Sequence, residues 1–215
     1  TDNEGQVWVG IDGGGIDVFK AGQKTASYKK GAAPRGLSDN AVLSGFKDSK
    51  GILWFGTYSG GITRYLPGEK KFEHFSPAGF TAKDIRCFYE DKNGFIWIGT
   101  NGDGLYRYLP ESKELLQLRR ENRNLTENYL RAVTADSDGH LWVGTFGQGL
   151  GILDNQYKVV RDYSINNGLH SNTITYIFRD SKNRMWVGTG EGLAVFTNCR
   201  DKELTLYTEE NGLAD

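Results

Sequence analysis

Apolar and polar residues alternate along this chain in short runs, and no stretch carries the three-to-four-residue period of an amphipathic helix. Ile62-Thr63-Arg64-Tyr65, Leu105-Tyr106-Arg107-Tyr108 and Leu193-Ala194-Val195-Phe196 read as strands with one face buried. More polar runs follow them, as in Lys71-Phe72-Glu73-His74-Phe75 and Glu203-Leu204-Thr205-Leu206-Tyr207. A different kind of run recurs from Ala41 to Lys47, Ile85 to Glu90, Leu130 to Ala135 and Thr173 to Arg179. These are the most apolar segments, and the pattern predicts strands buried on both faces.

The runs repeat. Trp8, Trp54, Trp97, Trp142 and Trp186 are separated by 46, 43, 45 and 44 residues, and each is followed by one hydrophobic residue and a glycine. Six residues before each tryptophan stands an aspartate: Asp2, Asp48, Asp91, Asp136 and Asp180. Three residues after the aspartate comes Gly5, Gly51, Gly94 or Gly139, with Asn183 in the fifth copy. Asp opening and Gly closing a four-residue segment is turn chemistry, and Asn is the common substitute where the backbone turns left-handed. The tryptophan therefore sits on the strand that leaves a hairpin turn. Small-residue loops follow it, such as Gly56-Thr57-Tyr58-Ser59-Gly60-Gly61 and Gly144-Thr145-Phe146-Gly147-Gln148-Gly149.

Four short antiparallel strands repeated at a period in the forties predict an all-β fold, a β-propeller of four-stranded antiparallel blades. About five blades are expected, over residues 1–36, 37–80, 81–124, 125–168 and 169–215. The first blade is expected to lack its inner strand. The closing Asn211-Gly212-Leu213-Ala214-Asp215 repeats the Asn167-Gly168-Leu169-His170-Ser171 lead into such a strand, so the chain reads as a segment of a larger ring. Charge on the outer strands (Lys70, Lys71 and Glu73; Lys202 and Glu203) is expected to blunt their edges.

Composition narrows the function. A net charge of −1 gives no footprint for nucleic acid or an anionic membrane. The 29 glycines, five Trp, eleven Tyr and eleven Phe suit packed short strands joined by tight turns. No apolar run approaches the ~20 residues of a membrane-spanning helix, so any leader or anchor of a parent protein is expected outside these residues. Cys87 and Cys199 fall in different repeats and are expected to be free thiols, with Cys87 buried on an inner strand.

The combined pattern has a known likeness. Gly36-Leu37-Ser38-Asp39-Asn40 followed by Asp48 through Trp54-Phe55-Gly56-Thr57, and Gly168-Leu169-His170-Ser171-Asn172 followed by Asp180 through Trp186-Val187-Gly188-Thr189, resemble the two-component regulator propeller repeat. The first copy departs with Ile11 in place of Thr and the fifth with Asn183 in place of Gly. The resemblance implies seven-bladed propellers, usually two in tandem, in the periplasmic sensory region of hybrid two-component regulators. It implies that the parent is anchored in the inner membrane and carries a histidine kinase, so that this segment senses rather than catalyses. An oligosaccharide ligand, neighbouring propeller and sensor domains, and a homodimeric parent are the implied partners. No direct contact with nucleic acid is implied.

The repeated residues themselves are expected to be structural. The tryptophans read as core between blades, and the aspartates as turn caps. Asp136-Ser137-Asp138-Gly139 opens like a calcium loop, but Gly147 stands where the twelfth-position glutamate would be needed. The glycine-rich loops precede strands, so they lack the helix dipole that holds phosphate. No catalytic residue, cofactor or metal site is expected.

Ligand recognition is expected where the repeats differ, on the loops that share one face of the blades. The loops after the Trp strands offer Tyr58, Asn101, Asp103, Phe146 and Gln148. Those before the inner strands offer Arg35, Lys83, Arg123, Asn124 and His170. Five residues before the aspartates stand Leu43, Arg86, Arg131 and Thr175. Of these, Tyr58, Arg86, Asn101, Arg131, Phe146 and His170 are the candidate ligand-binding residues. The arginines suit a carboxylated or sulfated sugar, and the exposed aromatics suit stacking. Two alternatives stay open. One is a propeller lyase similar to the streptogramin lyases, in which only His170 has the position of a catalytic histidine. The other is a scaffold for protein–protein contact.

Overall fold

The computed structural model describes residues 1–197 and 204–213. The charges expected at Lys202 and Glu203, and Cys199, lie outside the described residues. The chain divides into two compact units, Thr1–Thr100 with Arg107–Leu115, and Asn101–Tyr106 with Leu116–Asp215.

The sheets follow the repeats. The first contains β1 (Val7–Ile11), β2 (Gly15–Lys20) and β3 (Gln23–Tyr28), in that order. The second runs β4 (Val42–Lys47), β5 (Leu53–Thr57), β6 (Ile62–Leu66) and β7 (Lys71–Phe75). The third runs β8 (Ile85–Glu90), β9 (Ile96–Thr100), β10 (Leu105–Leu109) and β11 (Glu114–Leu118). The fourth holds β12 (Leu130–Ala135), β13 (Leu141–Thr145), β14 (Leu150–Leu153) and β15 (Val159–Tyr163). The fifth holds β16 (Ile174–Arg179), β17 (Met185–Thr189), β18 (Gly192–Phe196) and β19 (Leu204–Tyr207). Strands adjacent in sequence pair antiparallel, as β4 with β5 and β16 with β17, so each sheet is a blade-like meander of the kind that builds a β-propeller.

Every Asp-to-Trp spacing of six closes the same device. In all five repeats the indole Nε1 donates to a carboxylate oxygen of the aspartate, at 2.8 Å in Trp54–Asp48 and 3.1 Å in Trp142–Asp136. The other oxygen accepts backbone N–H groups two and four residues on, as Asp48 does from Lys50 and Ile52. The aspartate thus caps its turn and orients the next strand at once. The residue that closes the turn is left-handed, with φ of 82° at Gly51 and 63° at Asn183, which explains why asparagine can stand there.

Trp54, Trp97 and Trp142 are buried completely or nearly so, whereas Trp8 and Trp186 are only partly buried. Full burial of an indole removes ~150–250 Å² from water, an upper-bound gain of roughly 4–6 kcal/mol each. Within the first unit Trp8, Val18, Phe55 and Phe72 form one cluster between the first two sheets. Within the second unit Trp142, Tyr163, Ile174 and Phe196 join the fourth and fifth sheets.

At Gly10, Gly56 and Gly144 the glycine two residues after the tryptophan is what lets one sheet approach the next. A Cβ on Gly56 would lie 2.8 Å from Ile85 Cγ2, and one on Gly144 would lie 2.8 Å from Ile174 Cβ. In each case the blocked residue opens the first strand of the following sheet. First strands also pack together, β1 on β4 and β4 on β8 in one unit, β12 on β16 in the other.

Two expectations change. The first strands are not uniformly buried on both faces: β12 is largely buried, but β16 exposes Tyr176 and Phe178, and β8 is only partly buried beyond Ile85. They are edge strands in their sheets, and the Trp strands β5, β9 and β13 lie buried throughout instead. Cys87, on β8, is of intermediate exposure rather than buried.

Candidate functional site

The candidate residues divide between the two units. In the first, Tyr58 follows β5 and is 58% exposed, held through its backbone N–H on the Ala41 carbonyl at 3.0 Å. Beside it the Asp39 carboxylate accepts both the N–H and the hydroxyl of Ser59, which fixes the loop. Those bonds, the Ser59 hydroxyl first, outweigh the effect of burial and hold the Asp39 carboxyl below its usual range. Arg86 on β8 faces Asp84 two residues back, with Nε 2.6 Å and Nη2 2.7 Å from its two oxygens. An acidic ligand would have to compete with this pair. No hydrogen bond or ring contact joins Tyr58 to Arg86 among the described residues.

In the second unit the structure brings three candidates together. Arg131, second residue of β12, donates from Nη1 to Asn101 Oδ1 at 3.2 Å. Its guanidinium carbon lies 4.6 Å from the centroid of the Phe146 ring, a cation–π distance. Phe146 follows β13 and is 52% exposed. Its backbone is clamped at both ends: its N–H donates to the Tyr129 carbonyl at 2.9 Å, and its carbonyl accepts the Thr173 hydroxyl at 2.8 Å. The neighbouring Glu127 carboxylate accepts the Gly147 N–H at 2.9 Å, so the loop tip is held as well.

Tyr129 completes the group, and sequence reasoning missed it. It pairs with Asn101 in an isolated antiparallel bridge and is 49% exposed. The signal was present: Tyr129 directly precedes the first strand of its sheet, where the other repeats have Ala41, Asp84 and Thr173. A lone aromatic at a repeat position otherwise small or polar marks a departure from the scaffold's own needs. Two exposed aromatic rings, an amide and a guanidinium can offer a flat apolar surface with donors and an acceptor beside it. That is the chemistry a sugar ring requires.

His170 stands apart from this group. It is exposed and borders a cavity of about 630 Å³ that Glu191, Glu209 and Glu210 also line. Among the described residues no group of three or more His, Cys, Asp and Glu side chains could hold a metal. At Asp136, where the sequence resembles a calcium loop, both carboxylate oxygens are engaged by Asp138, His140 and Trp142. Two further loop candidates meet scaffold groups: Asn124 donates to the Tyr157 carbonyl at 2.9 Å, and Asp103 lies 3.8 Å from Arg119.

The model of the two-component regulator propeller family matches residues 79–102, 124–147 and 168–191. Among solved structures, the extracellular domain of the hybrid two-component system BT3049 from B. thetaiotaomicron is 41% identical, with a TM-score of 0.90. It matches 99% of this chain, which spans 28% of that domain's length. The extracellular domain of BT4673 from the same organism is 20% identical over 96% of this chain, with a TM-score of 0.80, and the chain spans 30% of it. Virginiamycin B lyase from Staphylococcus aureus shares the fold at 17% identity and a TM-score of 0.74, over 97% of this chain and 68% of the lyase. No curated protein matches the chain.

Proposed function

Because the chain carries repeats of the two-component regulator propeller family, we propose that it forms part of the extracytoplasmic sensory region of a hybrid two-component regulator. Its task in that region is to recognise an oligosaccharide without transforming it. The observation that carries this reading is the group formed by Asn101, Tyr129, Arg131 and Phe146 on clamped loops. A sugar ring stacks its apolar face on Phe146 or Tyr129, and its hydroxyl or carboxylate groups meet Arg131 and Asn101. Scaffold rigidity matters here, because loops already held by hydrogen bonds lose little freedom on binding.

The parent protein, in this reading, is anchored in the inner membrane with this segment in the periplasm, and ligand binding shifts the packing of a dimer so that kinase output changes. Such a shift requires a ligand that distinguishes two arrangements of the sensory region. Likeness to the virginiamycin lyase supports a shared fold only, and no described histidine is set among metal-binding neighbours.

Calorimetric titration of neutral and uronate-containing oligosaccharides into the chain, against a Phe146→Ala variant, tests the proposal. Saturable binding that falls at least tenfold in the variant supports it. Binding unaffected by the substitution, or turnover of the sugar, overturns it.

A further inference from the structure

The first and second repeats differ at the position opposite their tryptophans, Trp8 and Trp54. Across the second sheet Trp54 pairs with Arg64, and Arg64 with Glu73. That arginine stacks 5.0 Å from the Trp54 ring and forms an ion pair with Glu73. Across the first sheet the same row reads Trp8, Val18 and Ala26. A bulge after Val18 adds a further small residue, Thr25, to the outer strand.

Two long side chains are thus replaced by two short ones, and a cavity of about 260 Å³ opens beside Trp8 between the first and second sheets. Tyr28 stacks on Trp8 with ring planes 6° apart, and Tyr65 lies 4.6 Å from the same ring. All three aromatics line the cavity, together with Asp2, Glu4 and Lys70. Among the described residues neither tyrosine hydroxyl has a hydrogen-bond partner, and the Glu4 side chain makes no ion pair. Burial raises the Tyr65 hydroxyl above its ordinary range.

We infer that this cavity binds a single uncharged hexose ring, a site separate from the Arg131 group. Its volume lies below the ~300–1,000 Å³ of sites for larger molecules, which limits the occupant to about one ring. Val18, Ala26 and the aromatic rings meet the ring's C–H groups. Two phenols and the Glu4 carboxylate supply unspent donors and acceptors for its hydroxyls. Two carboxylates against one ammonium disfavour a sugar acid, in contrast to the arginine-bearing group of the second unit. The inference shares with the proposed function only the premise that the chain recognises carbohydrate.

NMR of the whole chain with methyl glycosides of glucose, galactose and mannose is the test, read at the Trp8 indole N–H. At least one glycoside is expected to shift that signal in a saturable way. Ala26→Leu, which fills the cavity, should weaken binding at least tenfold. Tyr65→Phe, which keeps the ring, should weaken it about threefold with the Trp54 indole signal unmoved. Glucuronate should fail to compete. No response at Trp8, wild-type affinity in both variants, or equal binding of glucuronate overturns the inference. Phe146→Ala should leave the Trp8 response intact. Loss of one response without the other therefore shows which of the two readings has failed.

Discussion

Asp48 and Trp54 are joined by a 2.8 Å hydrogen bond between two buried groups, and the same carboxylate also holds the amides of Lys50 and Ile52. Replacing Asp48 by Ala strands an indole N–H in the core and uncaps the turn. Since a buried unsatisfied donor costs about 1–3 kcal/mol, the expected loss is about 2–4 kcal/mol in urea unfolding. Asp180→Ala, at the more exposed copy of this bond, should lose visibly less.

Close approach between sheets predicts a second asymmetry. Gly144→Ala forces a methyl group against Ile174 and should cost about 1–3 kcal/mol or more. Gly68→Ala, where a Cβ meets nothing within 4 Å, should leave the thermal midpoint nearly unchanged.

Acid should act through the aspartates. The Trp186 indole first, and then the Arg184 amide and guanidinium, hold the Asp180 carboxyl far below its ordinary 3.8. At Asp2 burial pulls upward, but the Trp8 indole and the Gln6 and Glu4 amides outweigh it. A carboxyl depressed in the folded state stabilises it above the unfolded value and loses that contribution as pH falls through the folded one. The urea midpoint should therefore stay flat from about pH 7 to 5 and fall below about pH 4, where Asp180→Ala should soften the decline.

The two arginines should part company in binding. Arg131→Met removes the donor to Asn101 and the partner of Phe146, and should weaken an acidic oligosaccharide about tenfold or more. Arg86→Met should weaken it much less, because Asp84 already answers that charge. Equal losses in titrations of the two variants would contradict the difference.

The strands and turns were legible because each repeat restates them. A six-residue Asp-to-Trp spacing and a two-residue Trp-to-Gly spacing are local rules, and the structure gives each a bond or a clearance at Asp48–Trp54 and Gly144–Ile174. Burial of the first strands is not uniform although all of them lie at sheet edges: β12 is largely buried whereas β8 and β16 are not, a difference that their apolar runs alone do not show. Arg86 and Arg131 looked equivalent by position, and only Asp84 on one side and Phe146 on the other distinguish them. Tyr129 sits just outside a strand, at a position that neither the strand alternation nor the loop motifs single out. Similarly, the short side chains Val18 and Ala26 beside Trp8 are joined by Thr25 through a bulge after Val18, a feature of strand register that the alternation of residues does not reveal.

A crystal structure of the chain with the oligosaccharide that binds best in titration tests the proposed recognition most directly. The account predicts a sugar ring stacked on Phe146 or Tyr129 within hydrogen-bond reach of Arg131 or Asn101. A sugar bound elsewhere, with those four side chains still facing solvent, would contradict it.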